Sequence, residues 1–278
     1  MNSGISTLYF CVIISVMVSL VGCDKPYVRL TKVNVSYGDL DGNMKIETSS
    51  ATYFFREQGG GFTGIIDRDG KDWIGHNNGK GPIGQWRGIP NTNIAGWRPE
   101  KSGSKTKIIL QTPDKLVLSC EKGGYECTWT FFPDHATMNV LKADSNYYFS
   151  YEGAPNGKFD TITSYFFRPD LNKRYFMGRT SPETDIKMLP SENYEWCYFG
   201  DTNTKHAFYM VHHEDDSIPD YYRPMNGMTV YGFGRTGKSN ENLTKVPQHF
   251  SIGFCADTTF YFISNSIRKI VKETKNQH

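Results

Sequence analysis

The chain has 278 residues, and its 31 Lys and Arg stand against 29 Asp and Glu for a net charge of +2. A balance this close to zero leaves no nucleic-acid footprint and no strongly basic membrane face. With 17 Tyr, 18 Phe, 5 Trp and abundant Gly, the composition predicts short aromatic strands joined by glycine turns. The expected class is all-β, a large antiparallel β-sandwich, and not a helical or βαβ fold.

The first element is a leader. Met1 to Thr7 carries no Lys or Arg, and Leu8 to Val21 forms an apolar stretch of the length of a secretory signal, short of a membrane span. Leu20-Val21-Gly22-Cys23 resembles a bacterial lipobox, in which the cysteine takes the lipid. The resulting division is a lipoprotein signal peptide over 1–22, a lipidated tether over 23–26 and a single β-sandwich domain over 27–278. The mature protein is then exported and held by acyl chains on Cys23 in the periplasm or at the cell surface, with the outer membrane the expected site. An uncleaved anchor and a plain secretory signal are the alternatives.

Strands are expected at Tyr27–Val35, Lys45–Phe55 and Phe62–Ile66, with Gly59-Gly60-Gly61 as a turn or close approach and Asp67–Gly70 as a tight turn into Trp73-Ile74. His76 to Pro99, rich in Gly and Pro, reads as one long ordered loop. Hairpins then recur: Lys107–Gln111 with Lys115–Cys120, and Tyr125–Phe132 after a turn on Gly123-Gly124. That turn sets Cys120 opposite Cys127, either as a cross-strand disulfide or as two buried thiols. On the strand from Tyr125, alternation places Tyr125, Cys127, Trp129 and Phe131 on one face. Further strands fall at Thr137–Lys142, Tyr147–Tyr151, Thr161–Phe167, Trp196–Phe199, His206–His213, Met228–Phe233 and Gln248–Phe254, with 172–193 a second irregular loop. Ile263, Ile267, Ile270 and Val271 follow a helical period, so the chain ends on a short amphipathic helix.

Four segments could carry chemistry. In Gly84–Asn91, Arg87 could grip a carboxylate or sulfate in bidentate fashion, and Trp86 or the later Trp97 could stack on a sugar ring. In Met210–Arg223, alternation gives His212, Glu214 and Asp216 one face, a set suited to acid–base work or, as a lesser option, to a divalent cation. In Met228–Arg235, Tyr231 and Arg235 are expected to share a face backed by glycines. In Tyr147–Gly153, Tyr148, Ser150 and Glu152 share one side. Each also has a structural reading as core, turn or solvated face. No P-loop, dinucleotide fingerprint, nucleophile elbow or zincin motif occurs, and no cofactor or metal site is expected.

Gly59-Gly60-Gly61-Phe62-Thr63-Gly64-Ile65-Ile66-Asp67-Arg68-Asp69-Gly70-Lys71-Asp72-Trp73-Ile74 resembles the opening hairpin of galactose-mutarotase-like supersandwich proteins. Taken with the leader, the chain resembles carbohydrate-active bacterial lipoproteins, of supersandwich or jelly-roll type. The resemblance implies a polysaccharide or oligosaccharide as partner, although Tyr147-Tyr148-Phe149-Ser150 lacks the histidine expected before it in mutarotases. Polysaccharide lyases share such folds. The leading expectation is β-elimination of a uronate-containing polysaccharide. Arg87 or Arg235 would neutralise the carboxylate, and His212 or Tyr231 would take the proton. Trp86, Trp97, Glu152 and Tyr148 would contact substrate. A non-catalytic glycan-binding lipoprotein and a glycoside hydrolase or sugar epimerase are the alternatives.

Overall fold

Alternation decides which side of each strand enters the core. Tyr125, Cys127, Trp129 and Phe131 are buried, while Glu126 is exposed and Thr128 and Thr130 are intermediate. The structure, a computed structural model, describes residues 25–76, 87–92, 97–177, 184–186, 193–214, 218–225, 227–237 and 240–276.

Strands are numbered in chain order. The first sheet has nine described strands. They lie in the order β1 (Val28–Tyr37), β2 (Leu40–Thr48), β3 (Thr52–Arg56), β4 (Gly61–Ile66), β5 (Gly88–Asn91), β10 (Phe149–Gly153), β17 (Met228–Phe233), β16 (Asp220–Met225) and β13 (Thr184–Ile186). The second sheet, also of nine described strands, runs β12 (Lys173–Phe176), β11 (Ser164–Arg168), β14 (Glu195–Asp201), β15 (Ala207–His212), β20 (Gln248–Cys255), β9 (His135–Lys142), β8 (Tyr125–Phe131), β7 (Lys115–Lys122) and β6 (Lys105–Thr112). A small ribbon pairs β18 (Arg235–Thr236) with β19 (Asn240–Glu241). All described pairings are antiparallel, and the fold is an all-β sandwich.

Aromatic side chains from both sheets interlock in the core. Phe149 of the first sheet stacks on Phe250 of the second at 4.5 Å, and Phe62 meets Trp129 edge-on at 4.7 Å. Such pairs add about 0.5–1.5 kcal/mol each beyond the area they bury. The other face of the second sheet is covered at β11, β14 and β15 by α1 (Phe260–Lys275). Its Ile263, Ile267, Ile270 and Val271 pack on Tyr165, Trp196, Tyr198, Tyr209 and Val211, as the helical period predicts. Where α1 lies, the second sheet is covered on both faces, and β14, β15 and β20 are buried along their whole length, whereas β6 at the far edge is exposed.

Several expectations change on contact with the fold. Lys45–Phe55 is not one strand. The Thr48 hydroxyl accepts the Ser50 and Ala51 N–H groups at 3.3 and 3.1 Å, turning the chain so that β2 and β3 form a hairpin. The long loop over 76–99 contains β5, inserted between β4 and β10. A side chain at Gly88 would lie 2.3 Å from Pro99 Cγ, so the glycine that suggests a loop is the residue that lets Pro99 cover the strand. The region 172–193 contributes β12 and β13, and the chain after His213 returns as β16. Cys120 and Cys127 do face each other across the β7–β8 hairpin, whose Gly123 and Gly124 have φ of 47° and 87°; both thiols are free and buried.

Strand direction sorts the turns into two ends. The Val28 N–H bonds the Pro113 carbonyl at 2.8 Å, so the start of β1 lies beside the β6–β7 turn, at the end where β2 finishes and β3 begins. The antiparallel register then brings the start of β10 and the finish of β17 to the opposite end.

Candidate functional site

The first sheet has an outer face away from the core, and a cluster of polar groups gathers there on β5, β10, β17 and β16. Phe149 and Tyr151 point inward, the latter against Phe199 and Phe208 of the second sheet. Period two therefore turns Ser150 and Glu152 outward. On β17, Tyr231 and Phe233 point inward, so Gly232 faces out, directly opposite Ser150 on one side and Tyr221 on the other.

Arg235 joins this outer face by a break in alternation. Gly234 has a φ of 65° and ends the strand, a conformation that favours glycine. The chain folds back so that a Cβ placed on Gly232 would lie 3.0 Å from the Arg235 Cβ. Tyr231 and Arg235, expected on one face, thus lie on opposite faces of the sheet. The turn is held by Asp220, whose carboxylate accepts the Tyr231 hydroxyl at 2.8 Å and the Gly234 N–H at 2.9 Å.

The Arg235 guanidinium donates to Ser150 Oγ at 3.1 Å and to Glu152 Oε1 at 3.2 Å. It lies over the Tyr148 ring at 5.0 Å and the Tyr221 ring at 5.5 Å, within the range of cation–π attraction. Tyr148, Glu152 and Arg235 are 5%, 7% and 8% exposed, so the ion pair is largely desolvated. Burial raises the Glu152 carboxyl above its ordinary range, although the charges of Arg235 and Arg98 pull the other way. Burial likewise raises the Tyr148 phenol.

Three neighbours complete the cluster. Asn91 stands opposite Ser150 across β5 and β10 and is 1% exposed. Arg98 Nε lies 2.6 Å from Glu100 Oε1. The charges of both Arg98 and Glu100 act on Glu152. Of the expected residues, the fold brings together Arg235, Glu152 and Tyr148. Sequence reading missed Asn91, Arg98, Glu100 and Tyr221 as site residues. Asn91 closes the segment Gly84–Asn91 and Tyr221 lies beside Arg223 in Met210–Arg223, which is the signal the sequence holds for them; Arg98 and Glu100 carry none.

The remaining expected residues lie elsewhere. His212 is fully buried on the core side, stacked on Phe250 at 4.8 Å. Its Nδ1 meets Glu195 Oε2 at 3.0 Å and its Nε2 meets Gln248 Oε1. Tyr231 is fully buried against Phe166 and Phe199. Arg87 donates to the carbonyls of Gly75 at 3.2 Å and Gly227 at 2.5 Å, which makes it a clamp between two chain segments. Trp97 is not an exposed sugar platform: it is fully buried, edge-on to Tyr125 at 5.4 Å and pressed on Gly60, where a Cβ would lie 2.3 Å from its Cδ1. Trp86, Cys23 and Asp216 lie outside the described residues, as does the leader over 1–22.

The cation option finds no support in the donor set. Glu214 lies 3.6 Å from His212 Nε2, but its two oxygens already accept the His249 backbone N–H at 2.8 Å and meet His249 Nδ1 at 2.6 Å. Among the described residues no group of three His, Cys, Asp or Glu is arranged to hold a metal ion.

No protein-family model matches the chain, and no curated protein does either. Among the solved structures with which the chain aligns are the following two. An active YidC insertase crystal structure gives a TM-score of 0.44 at 8% identity, over 89% of this chain and 46% of that one. A galactose mutarotase related enzyme from Lactobacillus acidophilus gives 0.46 at 9% identity, over 78% of this chain and 98% of that one. The chain thus spans about half the length of the insertase.

Proposed function

We propose that this protein binds a glycan on the outer face of the first sheet, with Arg235 and Glu152 as the recognition pair and Tyr148 and Tyr221 as its aromatic walls. The observation that carries the reading is the buried Arg235–Glu152 pair itself. A buried ion pair is weak support for stability, because apolar residues of similar volume usually serve as well or better. A guanidinium, a carboxyl, a hydroxyl and an amide on a rigid sheet supply the mixed donors and acceptors that hydroxyl-rich ligands need.

The geometry favours this reading over β-elimination of a uronate polymer. That reaction needs the neutralising cation and the base on one side of the sugar. Arg235 stands on the outer face, whereas His212 and Tyr231 point into the core. A second reading, turnover by a hydrolase or epimerase, is favoured by Glu152, whose carboxyl burial raises above its ordinary range, the direction a proton donor needs.

Titration of residues 24–278 with neutral and acidic oligosaccharides, together with an assay for new chain ends or inverted anomers, separates the readings. Binding without turnover is the expected result, weakened at least about tenfold in Arg235→Ala. Turnover that vanishes in Glu152→Gln while binding persists would establish the enzyme. No binding to any glycan would sink the proposal.

The exported lipoprotein is part of the same proposal. No described helix is long and apolar enough to cross a membrane. With Cys23 acylated, the short tether would hold the β1 end of the sandwich at the membrane and direct the Arg235 end away from it. The full chain expressed in a bacterial host is expected to incorporate labelled palmitate, and Cys23→Ser to incorporate none. Equal labelling of both would contradict the lipobox.

A further inference from the structure

The glycan reading leaves open the class of sugar. Two side chains beside the Arg235–Glu152 pair bear on it. Asn91 is 1% exposed, and neither its amide oxygen nor its amide nitrogen has a hydrogen-bond partner among the described residues. Glu100 Oε2 is buried and equally without one. Leaving such groups unpaired forfeits their hydration without return, so unpaired polar atoms gathered beside one ion pair call for an outside partner.

Charge on this face is already matched. Arg98 faces Glu100 at 2.6 Å and Arg235 faces Glu152 at 3.2 Å. Arg223, outward on β16 opposite Val230, is also engaged. A uronate carboxylate entering here would meet two carboxylates whose cations are committed, and like charges in a desolvated site repel strongly. What the face leaves without hydrogen bonds is the Asn91 amide, which both donates and accepts, one Glu100 carboxylate oxygen, which accepts, and the Arg98 Nε–H, which donates and whose charge is matched by Glu100 at 2.6 Å. Two adjacent hydroxyls of a sugar ring match that set, because each hydroxyl can donate one hydrogen bond and accept others.

The geometry points to a subsite, formed by Asn91 and Glu100 beside the Arg235–Glu152 pair, that takes a vicinal hydroxyl pair of a neutral sugar and excludes a uronate. This inference rests on the glycan reading. It adds the substrate class and two residues, Asn91 and Glu100, to the binding face. Arg98 holds Glu100 and is a positioning residue.

The test is calorimetric titration of residues 24–278 with neutral hexose oligosaccharides, with their deoxy analogues lacking one hydroxyl of the vicinal pair, and with uronate oligomers of equal length. The wild type is expected to bind a neutral oligosaccharide about tenfold or more tighter than both the uronate and the deoxy analogue. In Asn91→Ala the preference over the deoxy analogue is expected to collapse to within about twofold, with affinity for the analogue itself little changed. Glu100→Gln keeps the volume and hydrogen-bonding reach and is the second variant should Asn91→Ala fail to fold. It is expected to weaken neutral-sugar binding and to relax exclusion of the uronate. Uronates binding as tightly as neutral sugars, or Asn91→Ala and Glu100→Gln retaining wild-type discrimination, would overturn the subsite. If Arg235→Ala still weakens binding at least about tenfold in that case, only the subsite fails. If no glycan binds, the glycan reading fails and the subsite with it.

Discussion

Arg235→Ala is expected to destabilise the fold by about 3–5 kcal/mol, the cost of removing one partner from a buried ion pair. The guanidinium serves four groups at once: Ser150 Oγ, Glu152 Oε1 and the faces of Tyr148 and Tyr221. Its loss leaves the Glu152 carboxyl, already raised by burial, with a major counter-charge gone. Glu152 would then take up a proton more readily, which recovers part of the cost as pH falls. Chemical denaturation at pH 7.5 and pH 5 checks this, and the loss should be smaller at pH 5. The double variant Arg235→Met, Glu152→Leu should recover most of the stability, because replacing both partners removes the desolvated charge along with its neutraliser. A single-variant loss under about 1 kcal/mol would show that the pair is solvated and contributes as a surface pair does.

The second large effect concerns His212. Fully enclosed between Glu195, Gln248 and Phe250, it is expected to cost roughly 3 kcal/mol on replacement by Ala, from lost hydrogen bonds and the cavity left behind. Its ionisation gives that cost a pH signature. Burial lowers the imidazole, but the hydrogen bond and charge of Glu195 outweigh it, so the folded value lies above the ordinary one. A group raised on folding contributes its full stability below the unfolded value of about 6.5 and loses it as pH rises through the folded value. The stability gap between wild type and His212→Asn is therefore expected to narrow above pH 6.5. Taking the difference between the two proteins suppresses the opposite contribution of His213, whose value burial lowers well below the ordinary range. A gap that widens with rising pH would mean that His212 is neutral in the fold. Glycan binding by folded His212→Asn is expected to match wild type, because this side chain lies on the core side.

What the sequence made legible follows from how local each feature is. The faces of Tyr125–Phe131, the Gly123-Gly124 hairpin and the helix carrying Ile263, Ile267, Ile270 and Val271 depend on period and turn chemistry, which a short window contains. The all-β class followed from the same patterns repeated along the chain. β5 was hidden because Gly88 and Pro90 read as loop, and its strand identity comes only from pairing with β4 and β10. Alternation puts Arg235 on the Tyr231 face because it assumes a continuous strand, and Gly234 breaks that strand with a left-handed turn. Tyr148, Ser150 and Glu152 were legible as one face of one strand. Asn91, Arg98 and Glu100 were not, since only the tertiary pairing of β5 with β10 and the fold-over at Pro99 bring them beside Glu152.

Hydrogen–deuterium exchange with and without a saturating oligosaccharide tests most directly whether the outer face of the first sheet is the binding surface. Bound glycan is expected to slow exchange in Gly88–Asn91, Phe149–Gly153 and Met228–Phe233, and to leave α1 and β6 unchanged. Protection confined to the helix-covered side of the second sheet, with none on these three strands, would contradict the account.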